Sequence, residues 1–146
     1  MIALPNAILW PVALHLVLVL CLLSMVSFTR MRAVRRGEVA GVVYFSRKDV
    51  EPDGSRRYVA NLNNQFELPT FFYALIALLY AADAVTGVQV ALAWVFLVGR
   101  VIHTGIQTQT DNVPLRGMAF GINLVALIIM WGIFLIPRLF PSLAGL

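Results

Sequence analysis

The sequence predicts an all-α integral membrane protein, a four-transmembrane-helix bundle running up and down. Three observations lead there. Hydrophobic residues make up 60% of the 146 positions and charged ones only 12%, with a mean hydropathy of +0.85. A soluble domain carries about twice that share of charge, so these residues cannot furnish the polar surface of a water-soluble protein this small. Residues 1–29 and 117–136 contain no charged residue, and about 20 apolar residues suffice to cross the hydrocarbon core. The basic residues, finally, are concentrated in one segment, 30–57. The length fits one domain, 1–146.

The first span is expected at 4–28. The second is placed at 57–82, where an apolar stretch from Leu68 to Ala82 is too short alone and the pattern extends upstream through Asn64 and Asn61 to Arg57. The third, 86–107, carries Arg100 and His103. Residues 83–87 make a tight connection before it, and 110–114 (TDNVP) have turn chemistry, with Pro114 near the start of the next helix. The fourth, 116–136, is bounded by Arg116 and Pro137. Gly117 and Gly121, four apart, suggest a close helix contact.

Lys and Arg in short loops set orientation. Arg30, Arg32, Arg35, Arg36, Arg47, Lys48, Arg56 and Arg57 all lie in or beside loop 30–56, Arg116 borders the next loop on that side, and only Arg138 falls opposite. The loop is therefore expected in the cytoplasm and both termini outside, which puts Trp10, Trp94 and Trp131 at one interfacial level. The first span, with its positive charges after it, reads as a retained anchor. A bacterial inner membrane suits this layout. The high pI belongs to a juxtamembrane loop, so the expected partners are anionic membrane lipids and not nucleic acid. The single Cys21 excludes an intrachain disulfide.

Ionisable residues inside spans are costly and are usually paired or functional. On the second span Arg57, Asn61, Asn64 and Glu67 form a stripe, on the third Arg100, His103, Thr104 and Gln107, and on the fourth Arg116, Phe120 and Asn123. All three stripes occupy the cytoplasmic half, so the polar groups are expected to converge on one site opening to the cytoplasm or the inner leaflet. Glu67 and Arg100 need each other or equivalent partners, either as an internal ion pair fixing helix register or as part of the site. His103 is read as a core histidine or a site residue, and His15 as an interhelical hydrogen-bond donor. No His, Cys, Asp and Glu cluster has metal-ligand spacing, and phosphate-binding glycine loops and nucleophile elbows are absent.

Four spans, a basic first loop and Asn64-x-x-Glu67 followed by Pro69 resemble the MAPEG family, the membrane-associated proteins in eicosanoid and glutathione metabolism. The run Phe96-Leu97-Val98-Gly99-Arg100-Val101-Ile102-His103-Thr104, with Pro114 and Arg116 beyond it, looks especially like the prostaglandin E synthases of that family. The resemblance implies a homotrimer with glutathione between subunits, acting on a lipophilic small molecule that arrives through the bilayer. It implies that Asn64, Glu67, Arg30 and Arg100 anchor glutathione, that His103 and Gln107 line the site, and that Arg116 stabilises the thiolate. A fixed cation does lower a thiol pKa and favours the nucleophilic form. This chain departs from the family pattern at Ala60 and Asn63, where arginines are expected, at Gln107 for a tyrosine, at Gly117 for a serine, and in the Glu67-x-Pro69 spacing. The resulting expectation is a glutathione-dependent transferase, peroxidase or isomerase. The alternative is a non-catalytic protein of the same scaffold that binds a lipid or an anionic metabolite.

Overall fold

The computed structural model describes residues 4–38 and 51–143. A single turn, α1 (Leu4–Ala7), leads into α2 (Leu9–Arg35), followed by α3 (Asp53–Asn64), α4 (Leu68–Ala81), α5 (Gly87–Gln109), α6 (Val113–Leu139) and a closing 3-10 turn at Pro141–Leu143. No strand occurs among the described residues. Part of the expected cytoplasmic loop, residues 39–50 with Arg47 and Lys48, lies outside them.

Three helices are long and apolar enough to cross a membrane: Pro5–Arg35, Gly87–Gln109 and Val113–Leu139. The 27 residues of α2 reach about 40 Å at 1.5 Å per residue. Its inward stripe, Pro11, His15, Val19, Leu22 and Val26, recurs every three or four residues. Leu16, Val17 and Leu20 on its other faces are each 53% exposed. Apolar side chains turned outward along a whole helix fit hydrocarbon as the surrounding solvent.

The second expected span, 57–82, is not one helix. It ends at Asn64, turns through Gln65, Phe66 and Glu67, and restarts as α4. The cause is Pro69, which has no N–H to donate and whose ring would clash with the carbonyl four residues earlier, so it is accommodated most cheaply in a helix's first turn, where α4 places it. The last four carbonyls of α3 lack intrahelical partners, yet each is satisfied. Those of Asn61 and Leu62 accept from Gln65 N, that of Asn63 accepts from Phe66 N, and that of Asn64 accepts from the Arg100 guanidinium.

The other ends follow the sequence closely. Thr86 caps α5 by accepting from Gln89 N at 3.2 Å, and Asn112 caps α6 by accepting from Leu115 N at 2.9 Å, with Pro114 in the first turn. Asp83 takes a left-handed φ of 49° in the connection after α4.

Helices α5 and α6 form the most extensive helix pair. α3 packs on α2 and α5, and α4 packs on α6. The apolar core centres on Phe72, Leu75, Phe96, Leu127 and Met130, with Phe72 and Phe96 stacked at 4.3 Å. The α5–α6 seam is closest at Gly99, where a Cβ would sit 2.0 Å from Asn123 Oδ1. Gly117 and Gly121, expected to serve this purpose, face open space in the protomer. Asn123 is completely buried, and neither of its amide atoms has a hydrogen-bond partner among the described residues.

Candidate functional site

Helices α3, α5 and α6 place polar side chains around a groove of about 430 Å³ lined by Ala60, Asn64, His103, Gln107, Val113, Arg116, Gly117 and Phe120. A second lobe of about 340 Å³ shares Ala60, Gln107, Val113 and Arg116 and adds Arg56, Arg57 and Asp111 at the turn between α5 and α6. Both volumes fall in the range of small-molecule sites, about 300–1,000 Å³.

The walls mix the polar Asn64, His103, Gln107 and Arg116 with the apolar Ala60, Val113 and Phe120. The Arg116 guanidinium, half-buried, makes no hydrogen bond or ion pair among the described residues. Arg57 spans the mouth, donating to both carboxylate oxygens of Asp111 at 2.8 Å, and Arg56 pairs with Asp53 at 3.1 Å. His103 is 2% exposed, packs its ring 6.2 Å from that of Phe120, and has no partner at Nδ1. A fixed cation without a partner, beside a buried imidazole with a free ring nitrogen, suits a ligand that brings negative charge and a polar group.

Behind this groove lies a polar network buried among the helices. Arg100 is completely buried. Its Nε and Nη2 donate to Gln65 Oε1 at 3.2 and 2.9 Å, and Nη2 also donates to the Asn64 carbonyl at 2.9 Å. His15 Nε2 meets the same Gln65 oxygen at 3.1 Å, and its Nδ1 hydrogen-bonds the Tyr73 hydroxyl. Gln65 Nε2 donates to Asn61 Oδ1 at 3.0 Å and to Thr104 Oγ1 at 3.2 Å, and Thr104 Oγ1 also lies 3.1 Å from Asn61 Oδ1. Asn61 Nδ2 then donates to Gln107 Oε1 at 2.9 Å.

Of the residues singled out from sequence, Asn64, His103, Gln107 and Arg116 line one groove, to which the Asn64 side chain adds its own bond to the Ala60 carbonyl. Arg100 stands behind the groove and not in it. Glu67 is exposed and forms no ion pair with Arg100 among the described residues. The equivalent partners of the arginine are Gln65 and a backbone carbonyl. The reason is the helix break, which removes Glu67 from the helical face assigned to it. Arg30 lies apart from the groove, held by Glu51 through Nε at 3.1 Å and Nη2 at 2.7 Å. Burial raises the Glu51 carboxyl, but hydrogen bonds from Arg30 and Ser55 and the fields of Arg30 and Arg56 outweigh it and hold the group below the usual carboxylate value. His15 makes its expected interhelical bonds. Gln65 is the residue that sequence reasoning missed. The signal was its position four residues beyond Asn61 and eight beyond Arg57. No group of three metal-ligating side chains occurs among the described residues.

Apolar helices of membrane-crossing length, packed around a buried polar network with a groove carrying Arg116 at one side, define an integral membrane protein. The chain belongs to the MAPEG family, whose model matches residues 8–136. Neither the curated proteins nor the solved structures include a match.

Proposed function

We propose that this protein is a membrane-embedded, glutathione-dependent enzyme acting on a lipophilic electrophile, with the groove between α3, α5 and α6 as its thiol site. The observation that carries the reading is the unpaired Arg116 beside Asn64, the free ring nitrogen of His103, and Gln107 on one wall. The fit to glutathione is chemical. Its carboxylates match Arg116, whose guanidinium makes no ion pair among the described residues, and its amides match Asn64 and Gln107. Bound there, glutathione supplies a nucleophilic thiol. Arg116 favours the deprotonated sulfur by its fixed positive charge, and the buried His103 and half-buried Phe120 restrict water. Two apolar hollows along the α5–α6 seam, about 320 and 510 Å³, are lined by residues such as Val95, Gly99, Met118 and Ile122. They suit a hydrophobic substrate that reaches the groove from the bilayer.

The same reading takes α3 and α4 together as a fourth crossing. The 14 residues of α4 reach only about 21 Å, short of the roughly 30 Å hydrocarbon thickness. The basic segment then faces the cytoplasm by the positive-inside rule, and a homotrimer is the assembly that the family resemblance implies. Glu67 and Arg30, outside the groove of one protomer, would be supplied by its edges or by a neighbour.

Calorimetric titration of the detergent-solubilised protein with reduced glutathione tests this. Binding is expected in the wild type and about ten- to a hundredfold weaker binding in Arg116→Ala, from the loss of one charged contact of about 1.5–3 kcal/mol. No heat at millimolar glutathione refutes the cofactor assignment. A second reading, binding of an anionic metabolite or lipid without catalysis, draws on Ala60, which leaves one groove wall without a charge. A phospholipid retained in native mass spectrometry without thiol turnover would favour it.

A further inference from the structure

The chain of side-chain amides behind the groove has a direction, and Arg100 sets it. A guanidinium only donates. Gln65 must therefore turn its carbonyl oxygen to Arg100, where His15 Nε2 donates as well. The reverse orientation would set the Gln65 NH2 group against those donors with no acceptor between them, buried at 1% exposure. With Oε1 so fixed, Gln65 Nε2 faces Asn61 and requires an acceptor there, which is Asn61 Oδ1. Asn61 then has only Nδ2 left for the next link, and that donates to Gln107 Oε1. The remaining Gln107 group, Nε2, has no partner among the described residues and belongs to the groove wall.

We infer that Arg100 is a positioning residue for the groove: through Gln65 and Asn61 it fixes the Gln107 amide with Nε2–H pointing at the ligand, making that wall a hydrogen-bond donor selective for anionic or acceptor groups. Asn and Gln amides are near-symmetric in shape, so without an anchor the wall would present donor or acceptor with little steric preference. Arg100 removes that ambiguity from behind the groove. In the ligand assignment this rests on the glutathione reading above, where Gln107 donates to a carboxylate, a carbonyl or the thiolate. The amide orientation itself does not depend on it.

Gln65→Glu is the discriminating variant. The new carboxylate stays isosteric and still accepts from Arg100 and His15, but it turns an acceptor towards Asn61. Asn61 must reverse to donate, and its oxygen then faces Gln107. Gln107 reverses in turn and exposes Oε1 to the groove, with no groove residue changed. The Thr104 hydroxyl can donate or accept and accommodates either direction.

Two readouts test this. In protein labelled with 15N at glutamine side chains, the Gln107 amide (assigned by its loss in Gln107→Leu) should exchange with water rapidly in the wild type. It should become protected in Gln65→Glu, held by the Asn61 oxygen. A Gln107 amide already protected in the wild type, or unchanged in the variant, overturns the inference. Asn61→Asp should give the same protection by inverting the last link alone, which keeps the test available should Gln65→Glu fail to fold. The second readout is reduced glutathione, whose binding should weaken about ten- to a hundredfold in Gln65→Glu and show no further loss when the same change is made in Gln107→Leu. Equal losses in both backgrounds would mean general disruption and would overturn the inference. Absence of glutathione binding in the wild type refutes the cofactor reading, and the exchange measurement still decides the relay.

Discussion

Replacing Gly99 by Ala probes the closest approach of α5 and α6. The added Cβ would sit 2.0 Å from Asn123 Oδ1, 2.9 Å from its Cγ and 3.3 Å from its Nδ2, where ordinary contact begins at 3.4 Å. The amide has nowhere to retreat, because Asn123 is completely buried. Overpacking a filled interior costs about 1–3 kcal/mol, and a clash with three atoms of one planar group belongs at the upper end. Ala gains about 1 kcal/mol over Gly in helix propensity. The clash wins, leaving a net loss of about 2 kcal/mol, roughly a thirtyfold fall in the folded-to-unfolded ratio. Reversible unfolding in mixed detergent, followed by circular dichroism, measures it. Combining Gly99→Ala with Asn123→Ala removes the clashing atoms together with an unpartnered buried amide, so the pair should be more stable than Gly99→Ala alone. A single variant as stable as the wild type, or a pair no better than the single, refutes the reasoning.

Two further outcomes are expected. The depressed Glu51 carboxyl contributes stability that is fully present above the ordinary carboxylate value and is lost as pH falls through the lower folded value. Melting temperatures of wild type and Glu51→Gln should therefore converge at acid pH and separate above it, and parallel curves would rule out the linkage. Cys21, exposed on α2, should carry a spin label whose relaxation responds to dissolved oxygen and not to a water-soluble nickel chelate. The opposite response would place this face in water.

The long helices were legible because a charge-free run of membrane length leaves little choice of structure. Residues 1–29 and 117–136 announce α2 and α6 on composition alone. The convergence of Asn64, His103, Gln107 and Arg116 was legible because each lies within or near an unbroken helix end, where a period of 3.6 assigns the face. The helical stripe drawn to Glu67 is interrupted, and for one reason. Phase along a helix can be counted only while the helix continues, and the chain turns at Gln65, Phe66 and Glu67. Pro69 forces that turn, and the helical phase counted from Asn61 and Asn64 ends with it. Gln65 was passed over on the same account, since a stripe drawn through Asn64 and Glu67 steps past it. The Gly99–Asn123 contact was hidden for another reason. A small residue becomes informative only once the side chain opposite it is known, and spacing within one helix says nothing about the facing one.

The break before α4 also changes what holds a charge in a membrane. A helix in hydrocarbon keeps its carbonyls for itself, and a buried arginine ordinarily calls for an acidic partner. Here the interrupted ladder releases the Asn64 carbonyl to Arg100, and the turn presents the Gln65 amide beside it. The cation is thus held at hydrogen-bond distance by neutral dipoles, the Gln65 amide oxygen and the Asn64 carbonyl, with no carboxylate in contact among the described residues. A proline with no polar hydrogen of its own thereby governs where a permanent charge can reside, so changes at Pro69 would be felt first as homelessness of a charge and only second as altered shape.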